Sequence, residues 1–171
     1  MTIKPRGGRV LALDVGERRI GVAVGDETGT IASPLTTVQR GPGDLAEIGR
    51  LIAECTVSRL VVGLPTTLSG REGPQAAVVR AFAADLAAVV PQDFPLDFWD
   101  ERLTTAIAER VLLESGTRRA HRRHRVDAVA AAVILQSYLD SRQMSAGRDR
   151  LEAAGSAPPA AVRSGRTRRS R

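Results

Sequence analysis

Near its start the chain carries back-to-back runs of alternating, β-rich sequence separated only by turn residues. RVLALDVG alternates and turns at Gly16, and RIGVAVGDETG follows and closes in a second Gly-containing turn. With no room for a crossover between them, two such runs pair antiparallel, and TIASPLTTVQR, rich in Thr, Val and Ile, supplies a third strand. A meander fixed this early limits what the rest can do. GDLAEIGRLIAEC then puts Leu45, Ile48, Leu51 and Ile52 at helical spacing, with Asp44 as the expected N-cap. RLVVGLP is a short apolar run of the kind buried on both faces in a parallel pair.

After the loop TTLSGREG, the segment PQAAVVRAFAADLAAVV reads as a helix with Pro74 in its first turn, where the missing N–H costs nothing. PLDFWDE is a second buried strand. TTAIAERVLLESG is a helix stopped at Gly116, and RVDAVAAAVILQSYLDSRQ is the last helix. The expected fold is α/β: a mixed five-stranded sheet, three strands in an antiparallel meander and two parallel, with helices on both faces.

Length and composition fit one core. The 171 residues are 43% hydrophobic, but three Phe, Trp99 and Tyr138 are the only aromatics, so Val, Leu, Ile and Ala must fill the interior and base stacking on an aromatic platform is not expected. No apolar run reaches the ~20 residues of a membrane span, and MTIKPRGGRV has no apolar signal segment, so a cytoplasmic location is expected. Cys55 stands alone, which rules out an intramolecular disulfide or a thiolate cluster and reads as a small apolar residue near a helix end.

The formal charge of +6 is uneven. Residues 145–171 hold seven Arg against Asp149 and Glu152 and are rich in Ala, Gly, Pro and Ser, a composition expected to be disordered, whereas the body, residues 1–144, is nearly neutral. Within the body, Arg118, Arg119, Arg122, Arg123 and Arg125 crowd into TRRAHRRHR, together with His121 and His124, directly before Asp127. A charge run is ordinarily a solvated face. Beside an acidic site that would repel a polyanion, this one reads as a set of phosphate contacts. The two His read as loop residues rather than ligands.

That acidic site is Asp14, Glu101 and Asp127, each at the end of an element expected at one sheet edge. Gathered carboxylates repel one another unless a cation lies between them, and hard oxygen ligands favour Mg²⁺ or Mn²⁺. Paired ions of that kind activate water and stabilise the leaving oxygen in phosphodiester cleavage. Singly, each acid has a plainer explanation: a turn residue for Asp14, an ion pair with Arg102 or another Arg for Glu101, and a helix cap for Asp127.

The segments LDVGERRIGVAVGD, IASPLTTV, VVGLPTTLSGREG, DERLTT with AER following, and VDAVAAAVILQSYL resemble the YqgF (RuvX-like) family of the ribonuclease H-like superfamily, over roughly residues 9–140. The resemblance implies a ribonuclease H-like fold and metal-binding catalytic acids at Asp14, Glu101 and Asp127. It implies two candidate substrates. One is precursor 16S ribosomal RNA, trimmed near its 5′ end. The other is the four-way Holliday junction, whose symmetric cleavage needs a homodimer. Among the other matched positions, Gly16 and Gly21 read as hairpin residues, Arg18 and Arg19 as phosphate contacts or solvated turn charges, and Thr104 and Thr105 as caps. Gly63 and Pro65 shape a strand exit, and Ser69, Gly70 and Arg71 border a substrate strand. Two rivals remain: an ATP-binding fragment of the actin and sugar-kinase type, which would lack its second lobe, and a catalytically silent nucleic-acid-binding module.

Overall fold

A computed structural model describes residues 8–67, 69–103 and 122–155, with backbone alone at 103, 122–125 and 150–155. The strands are β1 (Arg9–Val15), β2 (Arg19–Gly25), β3 (Ala32–Gln39), β4 (Val57–Leu64) and β5 (Leu96–Asp100). The helices are α1 (Asp44–Glu54), α2 (Pro74–Val89) and α3 (Arg122–Gly155), and a 3₁₀ turn, Glu101–Leu103, follows β5. The strands form one sheet in the order β3-β2-β1-β4-β5. The pairs β1–β2 and β2–β3 are antiparallel and β1–β4 and β4–β5 parallel, which is the expected mixed sheet.

Alternation along the strands divides the interior in two. Leu11, Leu13, Ile20, Val22, Leu60 and Val62 point to one face and meet Ile48, Leu51 and Ile52 of α1 and Val79, Phe82 and Leu86 of α2. Their neighbours Val10, Ala12, Ala23 and Val61 point to the other and meet Ala131, Ala132, Ile134, Leu135, Tyr138 and Leu139 of α3. Pro74 opens α2 as anticipated. Cys55 closes α1, half-buried against the first cluster.

Three expectations need correction. Asp44 is not the N-cap of α1: Gly43, at φ 92°, holds that position, and Asp44 is the first helical residue, its carboxylate accepting from the Gly41 and Leu45 N–H groups and from Arg40. The last helix already includes Arg122, so Asp127 lies inside it and cannot cap it. The helix also continues to Gly155, eleven residues beyond the expected end of the body. Met144, Ala146, Arg148, Arg150, Leu151 and Glu152 are good helix formers, and extending an existing helix needs no new nucleus. The expected helix TTAIAERVLLESG, Thr104, Thr105, Arg118, Arg119, His121 and residues 156–171 lie outside the described residues. Among the described residues, no helix is long and apolar enough to cross a membrane.

Candidate active site

The same alternation that builds the α3 face also selects its polar residues. Asp14 follows Val10 and Ala12 on that face, and its cross-strand partner is Gly21. A Cβ at Gly21 would fall 1.9 Å from the Asp127 carbonyl oxygen, so the bare strand lets the helix backbone down against the sheet. Gly21 is therefore a helix-contact residue rather than a hairpin residue. Gly16 does serve the hairpin: its N–H donates to the Arg19 carbonyl at 2.9 Å, which a Cβ there would also crowd. On the other side of Asp14, a Cβ at Gly63 would lie 2.8 Å from Glu101 Oε1 and 2.6 Å from Ile134 Cδ1. Gly63 thus leaves the space that the Glu101 carboxylate occupies. Asp97, Trp99 and Glu101 keep to one side by period two, and Trp99 pairs with Gly63.

Asp14 and Glu101 are each raised by burial and by a neighbouring acid. Burial pushes the Asp14 carboxyl up to about 6, and the charge of Asp127 adds to the rise. Burial likewise pushes Glu101 up to about 7, helped by the charges of Asp14 and Asp100. The Asp127 carboxylate lies 2.7 Å from Arg19 Nε through Oδ2, without hydrogen-bond geometry, and that oxygen is buried with no hydrogen-bond partner. Among the described residues no three acidic, His or Cys side chains converge closely enough to hold an ion as they stand. A buried carboxylate oxygen lacking donors, next to two acids whose charged forms are disfavoured, is nonetheless a donor set suited to a hard divalent cation.

The sequence did not single out Asp100. It projects to the opposite face from Glu101, where Thr66 Oγ1 donates to it at 2.7 Å and the Arg102 N–H at 3.0 Å. Hydrogen bonds from the Arg102 side chain, foremost, and from Thr66 hold its carboxyl well below the usual range. Two adjacent acids thus have opposite electrostatics, and period two along β5 was the signal that separates them. The clasp also ties down the loop after β4, where Gly70 at φ 80° packs near Arg102 and Arg71 lies exposed beside Ser69. Arg18 is exposed at the hairpin turn, whereas Arg19 is turned onto Asp127. Arg122, Arg123 and Arg125 fall in the opening turns of α3, with only their backbone described.

A family model described as RuvX, Holliday junction resolvase, matches residues 8–141. A protein of Chloroflexus aggregans provisionally named a pre-16S rRNA nuclease is 49% identical over 136 residues, covering 78% of this chain and 94% of its own length. One of Roseiflexus sp. (strain RS-1), with the same provisional name, is 50% identical over 138 residues, covering 80% and 96%. Among solved structures, T. thermophilus RuvC in complex with Holliday junction substrate superposes with a TM-score of 0.54 at 17% identity, covering 79% of this chain and 96% of that one. That likeness speaks for the fold. With the sheet order, the α3 face and these matches together, the chain belongs to the RuvX family and is a nuclease of the ribonuclease H-like fold.

Proposed function

We propose that this protein is a divalent-metal-dependent endonuclease in which Asp14, Glu101 and Asp127 hold Mg²⁺ or Mn²⁺, and that it processes the 5′ end of precursor 16S rRNA. The observation that carries the metal assignment is the α3-face carboxylate group itself: two acids raised by burial and by neighbouring acids, and a buried Asp127 oxygen with no hydrogen bond. Such an ion, when bound, supplies an activated water and charge neutralisation at the phosphodiester. Asp14, set deepest in the sheet, and Glu101, at the rim over Gly63, would hold the ion from two sides as charged carboxylates, the ion offsetting the burial that disfavours their charge without it. Arg18, Arg19, Arg71 and the cluster Arg118, Arg119, Arg122, Arg123 and Arg125 contact phosphates and offset the repulsion between the acids and a polyanion. The basic segment after residue 144 adds non-sequence-specific affinity to this body, and the protein works in the cytoplasm.

The names of the relatives favour the RNA substrate. The description of the family model favours a second reading, a homodimeric resolvase of branched DNA. Cleavage of a precursor 16S rRNA fragment and of a four-way DNA junction, compared in Mg²⁺ and Mn²⁺ with sedimentation on each substrate, separates them. Position-specific cutting of the RNA by a monomer supports the first; paired symmetric nicks in the junction by a dimer overturn it.

A further inference from the structure

Arg19 is the cation that the fold itself delivers to the carboxylates. As first residue of β2 it is paired with Gln39, and its carbonyl accepts from the Gly16 N–H, so its backbone is fixed on both sides. Period two places it with Gly21 and Ala23 on the α3 face, and its Nε reaches Asp127 Oδ2 at 2.7 Å. Both side chains are about 70% shielded, at 30% and 29% exposure, so the contact is not a loose surface pair. Yet Oδ2 receives no hydrogen bond. A shielded ion pair without aligned donors gains charge neutralisation but not the directional strength of a bidentate guanidinium–carboxylate bond. It is a contact that a better-suited cation can displace.

We infer that Arg19 is the resident counter-cation of the carboxylate site: its guanidinium and the divalent ion compete for Asp127 Oδ2, and the ion releases the guanidinium to a phosphate of the nucleic acid. The inference rests on the metal-dependent reading proposed above and extends it. It explains why the acids do not stand ready as an ion-holding group, since Asp127 is turned to Arg19. It also makes loading ordered. Metal and nucleic acid favour each other's binding through one side chain, because the ion frees the charge that the phosphate needs.

The test is Mn²⁺ titration calorimetry on the full chain, comparing wild type with Arg19→Gln and Arg19→Lys, each checked for native circular dichroism. Arg19→Gln removes the competitor and is expected to bind Mn²⁺ about three- to tenfold more tightly, the worth of one partly shielded ion pair. Its metal-free form melts lower than wild type and recovers with Mn²⁺. Arg19→Lys keeps a charge and stays close to wild type. At saturating Mn²⁺, Arg19→Gln raises KM for nucleic acid more than it lowers kcat. Unchanged or weaker Mn²⁺ binding by a folded Arg19→Gln overturns the competition while leaving the metal site standing, and an unchanged KM overturns the release to phosphate. No Mn²⁺ binding by any of the three proteins overturns the metal reading and the inference with it.

Discussion

The two faces of the sheet are made from alternate residues of the same strands, yet they are built for different ends. Toward α1 and α2 the strands present Leu, Ile and Val against Ile48, Leu51, Phe82 and Leu86. Toward α3 they present Ala12, Gly21, Ala23 and Gly63, and the helix answers with Ala131 and Ala132. Bulky residues keep a helix away from a sheet and gain burial. Small ones let the backbone close in, and the space saved holds Asp14, Glu101 and Asp127. One face stores stability; the other gives some of it up by burying carboxylates that repel.

Substitutions on each face should therefore fail differently. The largest effect expected is Glu101→Gln: cleavage falls by about 10³-fold or more while the melting temperature stays level or rises, since a metal-directed acid contributes to the transition state rather than to packing. Activity and melting curves on one preparation check it. On the opposite face, Leu60→Ala, at a fully buried position, should cost about 2–5 kcal/mol in urea unfolding yet leave the specific activity of the folded fraction near wild type. Gly21→Ala blurs the two classes. Its Cβ would press on the backbone of α3 at Asp127, so about 1–3 kcal/mol of stability and most of the activity should go together. Gly63→Ala is gentler on the fold, because one neighbour is the flexible end of Ile134 and the other is the Glu101 carboxylate; cleavage should fall with little change in melting.

A separate effect is a pH dependence centred on the α3 face. The carboxyls of Asp14, from 3.8 to about 6, and Glu101, from 4.5 to about 7, both hold their protons longer in the folded than in the unfolded chain. The metal-free protein should therefore lose stability as pH rises from about 4 to about 7 and level off above that, by roughly 3 kcal/mol for Asp14 alone. The Asp100 carboxyl, held low by Arg102 and Thr66, works the other way and only below its ordinary range. Urea titrations at pH 5 and pH 8 without metal measure the difference. Saturating Mn²⁺ should stabilise the protein more at pH 8.

Much of this division could be read in the sequence, because it follows from periods. Alternation gave the meander, the apolar runs gave the parallel strands, and the element ends carrying Asp14 and Glu101 lie on either side of Gly63 at the sheet's α3 face. What escaped depends on register between distant segments. Gly21 looked like a hairpin residue because only the pairing Asp14–Gly21 and the seat of α3 reveal that a helix backbone lies over it. Asp127 looked like the start of a helix because the Arg-rich residues before it read as a loop, whereas α3 already includes Arg122. Arg19 read as a phosphate contact or a solvated turn charge, and nothing local shows that the first residue of β2 faces Asp127. The continuation of α3 to Gly155 was hidden by Gly147 and the Ser residues, although its local helix formers were present.

The central claim is that the α3 face spends stability on a metal-binding carboxylate group, and Asp14→Asn tests it most directly. Wild type and variant should be melted at pH 8 without and with Mn²⁺, and assayed for cleavage in parallel. The account predicts that the metal-free variant melts higher than wild type, gains little from Mn²⁺ and does not cut. A variant that melts lower without metal, is stabilised by Mn²⁺ as wild type is, and still cleaves would contradict it.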